Sequence, residues 1–285
     1  MEKDYSSISP SATSLIRMKG LTKIPFAKEV AELMPKSAPG IFEDRAKDAG
    51  FWGGVLHFEN RYWSIDQLLS GQNISNVLEL SSGYSFRGLD MVMQQAVHYI
   101  DTDLPDVIAL KKQFITSLQK DTGELQGKLE LLPLNALDET AFNDTIARFE
   151  EGPLAIVNEG LLMYLGEEEK LKLCSLIHKT LLQRGGCWIT ADVYVRMPSM
   201  NREIYPNEKA KKFFEQHNIE ENKFESMEAA KAFFEKAGFS VEQEAQFDAE
   251  KITALKPLLE NAPPDMIERL RAAGKIQATW RLKAV

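Results

Sequence analysis

Small residues and a carboxylate follow the first two strands that the sequence predicts. The apolar run from Ile74 ends in the turn Ser81-Ser82-Gly83, where small side chains would let a ligand approach the backbone. Asp103 ends the next strand, 20 residues after Gly83. This spacing is typical of an acidic residue that accepts hydrogen bonds from ribose hydroxyls. The alternative is that Asp103 caps the helix that begins near Pro105.

The ends of the third and fourth predicted strands supply further polar side chains. Asn135 offers both a donor and an acceptor to the edge of an adenine ring, or it forms an Asx turn before the next helix. Glu159 directly follows a buried apolar strand and therefore needs a partner. That partner is either a cationic ligand or an arginine from the N-terminal region. Tyr164 adds a phenol one turn later.

Alternating strands and helices must position these residues. The predicted strands cover residues 74–80, 98–101, 128–132, 154–158, 187–193, 239–245 and 275–283. The predicted helices between them cover residues 86–97, 105–120, 138–149, 167–183, 227–236 and 264–273. Such alternation predicts an α/β fold with a doubly wound, seven-stranded, mostly parallel sheet. The alternating pattern of the last strand predicts an antiparallel member.

Two segments are expected to cover this sheet. Residues 1–70 are predicted to form an N-terminal helical cap. Prolines and the pair Gly53-Gly54 are predicted to interrupt its helices. Residues 71–285 form the second domain, with a lid insertion at about 194–226 that should select the substrate. The lid carries apolar side chains that could equally be core contacts: Met197, Met200, Tyr205, Phe213 and Phe214.

Composition narrows the range of partners and locations. The net charge of −8 disfavours nucleic acid as a partner. The N-terminus lacks an apolar signal region, and no segment is apolar enough for a membrane span, so a soluble, cytoplasmic chain is expected. Cys174 and Cys187 lack metal-binding spacing and are predicted to be small buried hydrophobes.

Three segments together resemble the leucine carboxyl methyltransferase family, and most of all its polyketide O-methyltransferase-like bacterial branch. They are Val77-Leu78-Glu79-Leu80-Ser81-Ser82-Gly83, Asp103-Leu104-Pro105 and Asn158-Glu159-Gly160-Leu161-Leu162-Met163-Tyr164-Leu165. The resemblance covers roughly residues 60 to 195. It implies a Rossmann-like class I methyltransferase, S-adenosylmethionine as methyl donor, and metal-free O-methylation, often of a carboxylate.

The resemblance also implies roles for individual residues. Those implied to bind the cofactor are Arg61, Glu79, Ser81, Gly83, Asp103, Asn135, Ala136 and Glu159. Within this set Arg61 would reach the cofactor carboxylate, or else form a surface salt bridge, and Glu159 would lie near the methionine moiety. Glu159 and Tyr164 are the catalytic candidates, and Tyr164 would lie close to the transferred methyl group. Ser81 replaces the leading glycine of the family turn, and Asn135 replaces an aspartate.

The acceptor is then expected to be a small molecule or a peptide carboxylate. An ionised carboxylate needs no base, whereas a hydroxyl would need one, such as Glu159, Tyr164 or His57. Three alternatives remain open. A nicotinamide-dependent oxidoreductase shares this spacing but should carry the pattern Gly-x-Gly-x-x-Gly, which is absent from the sequence. A catalytically silent S-adenosylmethionine-binding protein and an interaction scaffold are the others.

Overall fold

A computed structural model describes residues 9–42, 46–119, 123–196, 207–266, 268 and 274–285. The described residues form one seven-stranded sheet with the strand order β3-β2-β1-β4-β5-β7-β6. The strands are β1 (Asn76–Leu80), β2 (His98–Asp103), β3 (Lys128–Pro133), β4 (Leu154–Asn158), β5 (Gly186–Tyr194), β6 (Phe239–Glu244) and β7 (Gln277–Ala284). The first five strands pair in parallel, and β7 runs antiparallel between β5 and β6.

Helices connect and cover these strands. They are α1 (Ser9–Lys19), α2 (Ala27–Leu33), α3 (Ala49–Leu69), α4 (Arg87–Gln94), α5 (Pro105–Leu118), α6 (Glu139–Ile146), α7 (Glu167–Arg184), α8 (Glu208–Gln216), α9 (Met227–Lys236) and α10 (Leu255–Asn261), with a 3-10 turn at Leu162–Tyr164. This architecture confirms the predicted fold, a doubly wound, seven-stranded, mostly parallel α/β sheet.

Burial follows from each strand's place in the sheet. Every residue of the central strands β1 and β4 is buried, because helices cover both faces of a parallel sheet. The edge strand β3 is largely half-buried. The strand order reverses between β1 and β4, and open α/β sheets bind ligands at the carboxyl ends of the strands beside such a reversal.

Local signals explain the limits of the longest helices. The Asp48 carboxylate accepts a hydrogen bond from the Phe51 N–H and begins α3. Three glutamates occupy the first turn of α7, where the helix dipole favours negative charge. That helix ends at Gly185, whose φ of 71° suits glycine.

The prediction that Gly53-Gly54 interrupts a helix is wrong. Helix α3 continues through both glycines, since its packing against α1 outweighs their low helix propensity. A Cβ at Gly54 would lie 3.0 Å from Met18 Cε, so a glycine permits the close approach of the two helices.

Some predictions lie partly outside the described residues. This applies to Met197, Met200 and Tyr205 of the predicted lid, and to most of the predicted helix at 264–273. A further helix that the sequence did not predict, α10, packs on α3. The division into a cap and a second domain stays a prediction. No helix in the described ranges has the length and hydropathy of a membrane span.

Candidate functional site

A cavity of about 280 Å³ lies at the reversal of strand order. Its lining comes from the segments that follow β1, β2, β3 and β4, and from α1, α3 and α8. Eight of the nine predicted site residues line it: Arg61, Ser81, Gly83, Asp103, Asn135, Ala136, Glu159 and Tyr164. Segments far apart in the sequence therefore meet in one place, as the rule for carboxyl ends of parallel strands predicts.

Asp103 organises the turn after β1. Its two carboxylate oxygens accept hydrogen bonds of 2.7 Å from the backbone N–H groups of Gly83 and Leu104. Leu104, not Asp103, is the N-cap residue of α5. The carboxylate therefore ties the end of β2 to the turn after β1, and the capping alternative is wrong. Each oxygen keeps lone pairs for other donors.

A buried network lies beneath the same turn. Lys111 Nζ is 2.6 Å from an Asp101 carboxylate oxygen and donates to Ser82 Oγ at 2.9 Å. Glu79 lies in this layer rather than in the cavity lining, and its carboxylate accepts a hydrogen bond of 2.7 Å from the Tyr99 hydroxyl. Burial, followed by the charge of Asp101, raises the pKa of Glu79 to about 8. The other carboxylate oxygen of Glu79 lies 3.6 Å from Arg87 Nε, so the side chain contacts Tyr99 and Arg87 rather than the cavity.

The turn contains two residues in the left-handed backbone region, Ser81 (φ 51°) and Gly83 (φ 53°). This conformation costs a residue with a Cβ about 1–2 kcal/mol. We expect Gly83→Ala to lower the free energy of unfolding by about 1 kcal/mol. Ser81→Gly should leave it unchanged or raise it by up to about 1 kcal/mol, since relieved strain opposes the added chain entropy. Urea denaturation measures both, and equal losses in the two variants would contradict this interpretation.

Glu159 lies among three cationic side chains. Its Oε1 is 2.6 Å from Lys19 Nζ and 3.0 Å from an Arg61 nitrogen, and its Oε2 is 3.5 Å from an Arg87 nitrogen. Burial alone would raise the pKa of Glu159, but the charges of Lys19, Arg61 and Arg87 outweigh burial and lower it to about 2. The carboxylate is therefore ionised at neutral pH.

Arg61 is fixed by contacts on several sides. Besides Glu159, it donates a hydrogen bond of 2.9 Å to the Tyr194 hydroxyl. A Cβ at Gly160 would lie 3.0 Å from the guanidinium, and the φ of Gly160 is 82°, so both space and backbone favour glycine. Arg61 is 2% exposed, which rules out the alternative of a surface salt bridge.

His57 and Tyr194 form a second polar contact in the lining. His57 Nε2 and the Tyr194 hydroxyl are 2.7 Å apart. Burial and then the Arg61 charge lower the pKa of His57 to about 3, while burial raises the pKa of Tyr194 to about 12. Both side chains are therefore uncharged at neutral pH.

Asn135 and Tyr164 have more local contacts. The Asn135 side-chain oxygen accepts a hydrogen bond of 3.0 Å from the Leu137 N–H, which is the Asx turn considered from the sequence. Asn135 still lines the cavity beside Ala136. Tyr164 donates to Ser11 Oγ at 3.3 Å and so connects the segment after β4 to α1. Burial raises the pKa of Tyr164.

Sequence reasoning missed several residues of this site, of which Asp192 is the most connected. It lies near the end of β5, and its carboxylate accepts hydrogen bonds from the backbone N–H groups of Gly160, Leu161 and Leu162 at 2.6, 2.7 and 3.1 Å. The strand-end signal that identified Asp103 and Glu159 could have identified Asp192 too. No comparable signal exists for Lys19, which is 140 residues from its partner Glu159.

No protein-family model matches the sequence. No curated protein sequence matches it either.

Solved structures resemble the chain in fold. A DUF574 family protein from Streptomyces avermitilis superposes with a TM-score of 0.55 at 11% identity, covering 98% of this chain and 99% of that one. LepI in complex with SAH and a substrate analogue gives a TM-score of 0.44 at 11% identity, covering 78% of this chain and 46% of that one. The dimethyltransferase RosA from Streptomyces davawensis gives 0.46 at 13% identity, covering 99% and 70%.

The chain spans about half the length of LepI and of a pericyclic reaction enzyme that it also matches. At these identities, the DUF574 family protein supports the fold alone.

Proposed function

We propose that this chain is an S-adenosylmethionine-dependent methyltransferase that methylates an oxygen of a carboxylate or hydroxyl on a small molecule or a peptide terminus. The observation that carries the proposal is the meeting of the Gly83 turn, Asp103 and Glu159 at one cavity beside the strand reversal. The resemblance of the segments that carry these residues to the leucine carboxyl methyltransferase family agrees with it. We further propose that the N-terminal helices form a cap over this site and that residues of about 194–226 form a lid.

The lining fits an adenosyl amino acid. Asp103 retains carboxylate lone pairs for ribose hydroxyls, and Asn135 and Ala136 lie beside it for an adenine edge. Lys19 and Arg61 carry two positive charges and share the single negative charge of Glu159. A ligand carboxylate is therefore favoured near Arg61. Glu159 would in turn attract the positive charges of the donor.

Methyl transfer from a sulfonium requires mainly alignment and exclusion of water. Arg61, clamped between Glu159 and Tyr194, would orient the donor through its carboxylate. The apolar side chains of α1 and α8 would close the cavity over the reacting atoms. When bound, S-adenosylmethionine supplies the activated methyl group. Tyr164 would contact the acceptor beside that group.

A nicotinamide-dependent oxidoreductase is the second candidate, because Asp103 could accept hydrogen bonds from any ribose. The turn argues against it. Two residues with a Cβ, Ser81 and Ser82, stand where a pyrophosphate would need close approach to the backbone. A scaffold would bind neither cofactor.

Thermal unfolding with added cofactors tests the proposal. We expect S-adenosylmethionine and its demethylated product to raise the Tm, with a shift that grows with the logarithm of their concentration above the Kd, and NADH to leave the Tm unchanged. Asp103→Ala should weaken S-adenosylmethionine binding about tenfold by calorimetry, because one net hydrogen bond to the ribose is worth about 1.4 kcal/mol. Asp138→Ala removes a carboxylate outside the cavity lining and is the matched control. The proposal would be refuted if the Tm rose with NADH alone, or if neither S-adenosylmethionine nor its demethylated product raised the Tm.

A further inference from the structure

Six aromatic side chains of the cavity lining form a chain of ring contacts, which we call the aromatic arc. Its members are Tyr164, Phe213, Phe214, Phe42, Phe58 and His57. Neighbouring ring centroids along the arc lie 6.3, 6.2, 6.4, 6.3 and 5.2 Å apart. These separations show that the rings pack on one another. Because all six residues also line the cavity, its wall is rich in aromatic side chains, on which a flat π system could stack or whose edges it could meet.

The charges around the cavity favour an anion. Among the described residues of the lining, Lys19 and Arg61 share the single carboxylate of Glu159. Lys223 is paired with Glu220, and Arg87, 3.5 Å from Glu159, is paired with Asp66. A carboxylate would be attracted by Lys19 and Arg61 and by the donor's sulfonium, whereas a protonated amine would be repelled by these charges.

Asp103, Glu159 and His57 are each held by hydrogen-bond donors or by cations. Both oxygens of Asp103 accept backbone N–H groups, while Glu159 Oε1 accepts from Lys19 and Arg61 and Glu159 Oε2 lies 3.5 Å from Arg87. His57 Nε2 is held by the Tyr194 hydroxyl, and burial together with Arg61 lowers the pKa of His57 to about 3. Within the described lining, these groups are poorly placed to take a proton from a neutral hydroxyl. The acceptor should therefore arrive ionised.

We propose that the acceptor is a small, flat aromatic carboxylate, which narrows the substrate class of the proposed function and depends on it. One carboxylate oxygen attacks the methyl carbon, and a C–O bond forms as the C–S bond breaks. The electron pair of the broken bond stays on sulfur, and the product is a methyl ester. No proton is transferred, so the cavity needs no base.

Three compounds with one ring system test the acceptor class: 2-naphthoate, 2-naphthol and 2-naphthylamine, with octanoate as a non-aromatic carboxylate. We expect methyl transfer to 2-naphthoate at least tenfold faster, in kcat/KM, than to the other three. The kcat/KM for 2-naphthoate should not change between about pH 6 and 8, because the carboxylate of this compound titrates near pH 4. A preference for the naphthol, the amine or octanoate would overturn the inference.

Binding provides a readout that does not depend on turnover. With saturating demethylated product present, 2-naphthoate should raise the Tm further, and 2-naphthol should do so less. Phe214→Leu should raise the KM for 2-naphthoate about 3- to 10-fold while leaving kcat and S-adenosylmethionine affinity nearly unchanged. Phe247→Leu, at an exposed position outside the cavity lining, is the matched control.

The failures are distinguishable. If S-adenosylmethionine shifts the Tm but 2-naphthoate neither binds nor reacts, the inference about the acceptor is wrong and the proposed cofactor stands. If S-adenosylmethionine itself produces no shift, the proposed function fails and the inference fails with it.

Discussion

Replacing Glu159 with glutamine should lower the free energy of unfolding by about 3–5 kcal/mol, the usual cost of removing one partner from a buried ion pair. Glutamine keeps the size of the side chain but removes the charge that Lys19, Arg61 and Arg87 share. All three cations are at least nine-tenths buried, so water can compensate for little of the loss. Urea denaturation at neutral pH measures the difference.

Glu130→Gln is the matched control. Glu130 also contacts three basic side chains, His98, Lys128 and Arg148, and hydrogen bonds to them lower its pKa to about 2 despite some desolvation. Because Lys128 and Arg148 are exposed, solvent screens this cluster, and the variant should lose less than about 1 kcal/mol. Similar losses in both variants would contradict the role of burial.

The acid limb of the stability curve gives a second readout of Glu159. Its pKa falls from 4.5 to about 2 on folding, so its stabilising contribution is complete above about pH 4.5 and is lost as the pH falls towards 2. Wild-type protein should therefore lose more stability than Glu159→Gln across that range. Parallel curves for the two proteins would argue against the lowered pKa.

The fold was largely predictable because its signal is local. Apolar runs such as Leu154–Asn158 and the helix stop at Gly185 determine strands and helices without knowledge of distant contacts. Because the carboxyl ends of parallel strands meet at one edge of a sheet, the predicted strands also placed Gly83, Asp103 and Glu159 together. Errors arose where packing overrides propensity, as in α3 at Gly53-Gly54.

The site was predictable only as far as strand ends could indicate it. Glu79 precedes the last residue of β1, and its side chain contacts Tyr99 in the layer beneath the turn rather than the cavity. The position of a residue in a strand did not show whether its side chain would lie in the buried layer or line the cavity. Lys19 reaches Glu159 from α1, and nothing in its neighbouring residues indicates that contact. Its contribution depends on how the N-terminal helices pack on the sheet.

Asp192 shows how a residue near the end of β5 can determine the geometry of a neighbouring segment. Besides three consecutive backbone N–H groups, its carboxylate accepts a hydrogen bond of 2.6 Å from the Asn158 side chain. Asn158 in turn accepts from the Trp188 indole N–H at 2.6 Å. These contacts hold the chain that carries Glu159 between a strand and the 3-10 turn. Asp192 is therefore a positioning residue for the proposed site.

Asp192→Ala should lower the free energy of unfolding by about 4 kcal/mol, because several buried donors lose a charged acceptor worth about 1.5–3 kcal/mol each and recover only part of it from water. It should also weaken S-adenosylmethionine binding, since Glu159 is no longer held. Asp138→Ala is the control for stability: Asp138 accepts one backbone N–H at an exposed helix start and should cost about 1 kcal/mol. Urea denaturation and calorimetry measure the two effects. If Asp192→Ala lost no more stability than the control and bound the donor normally, the turn after β4 would have to be held by its remaining contacts alone.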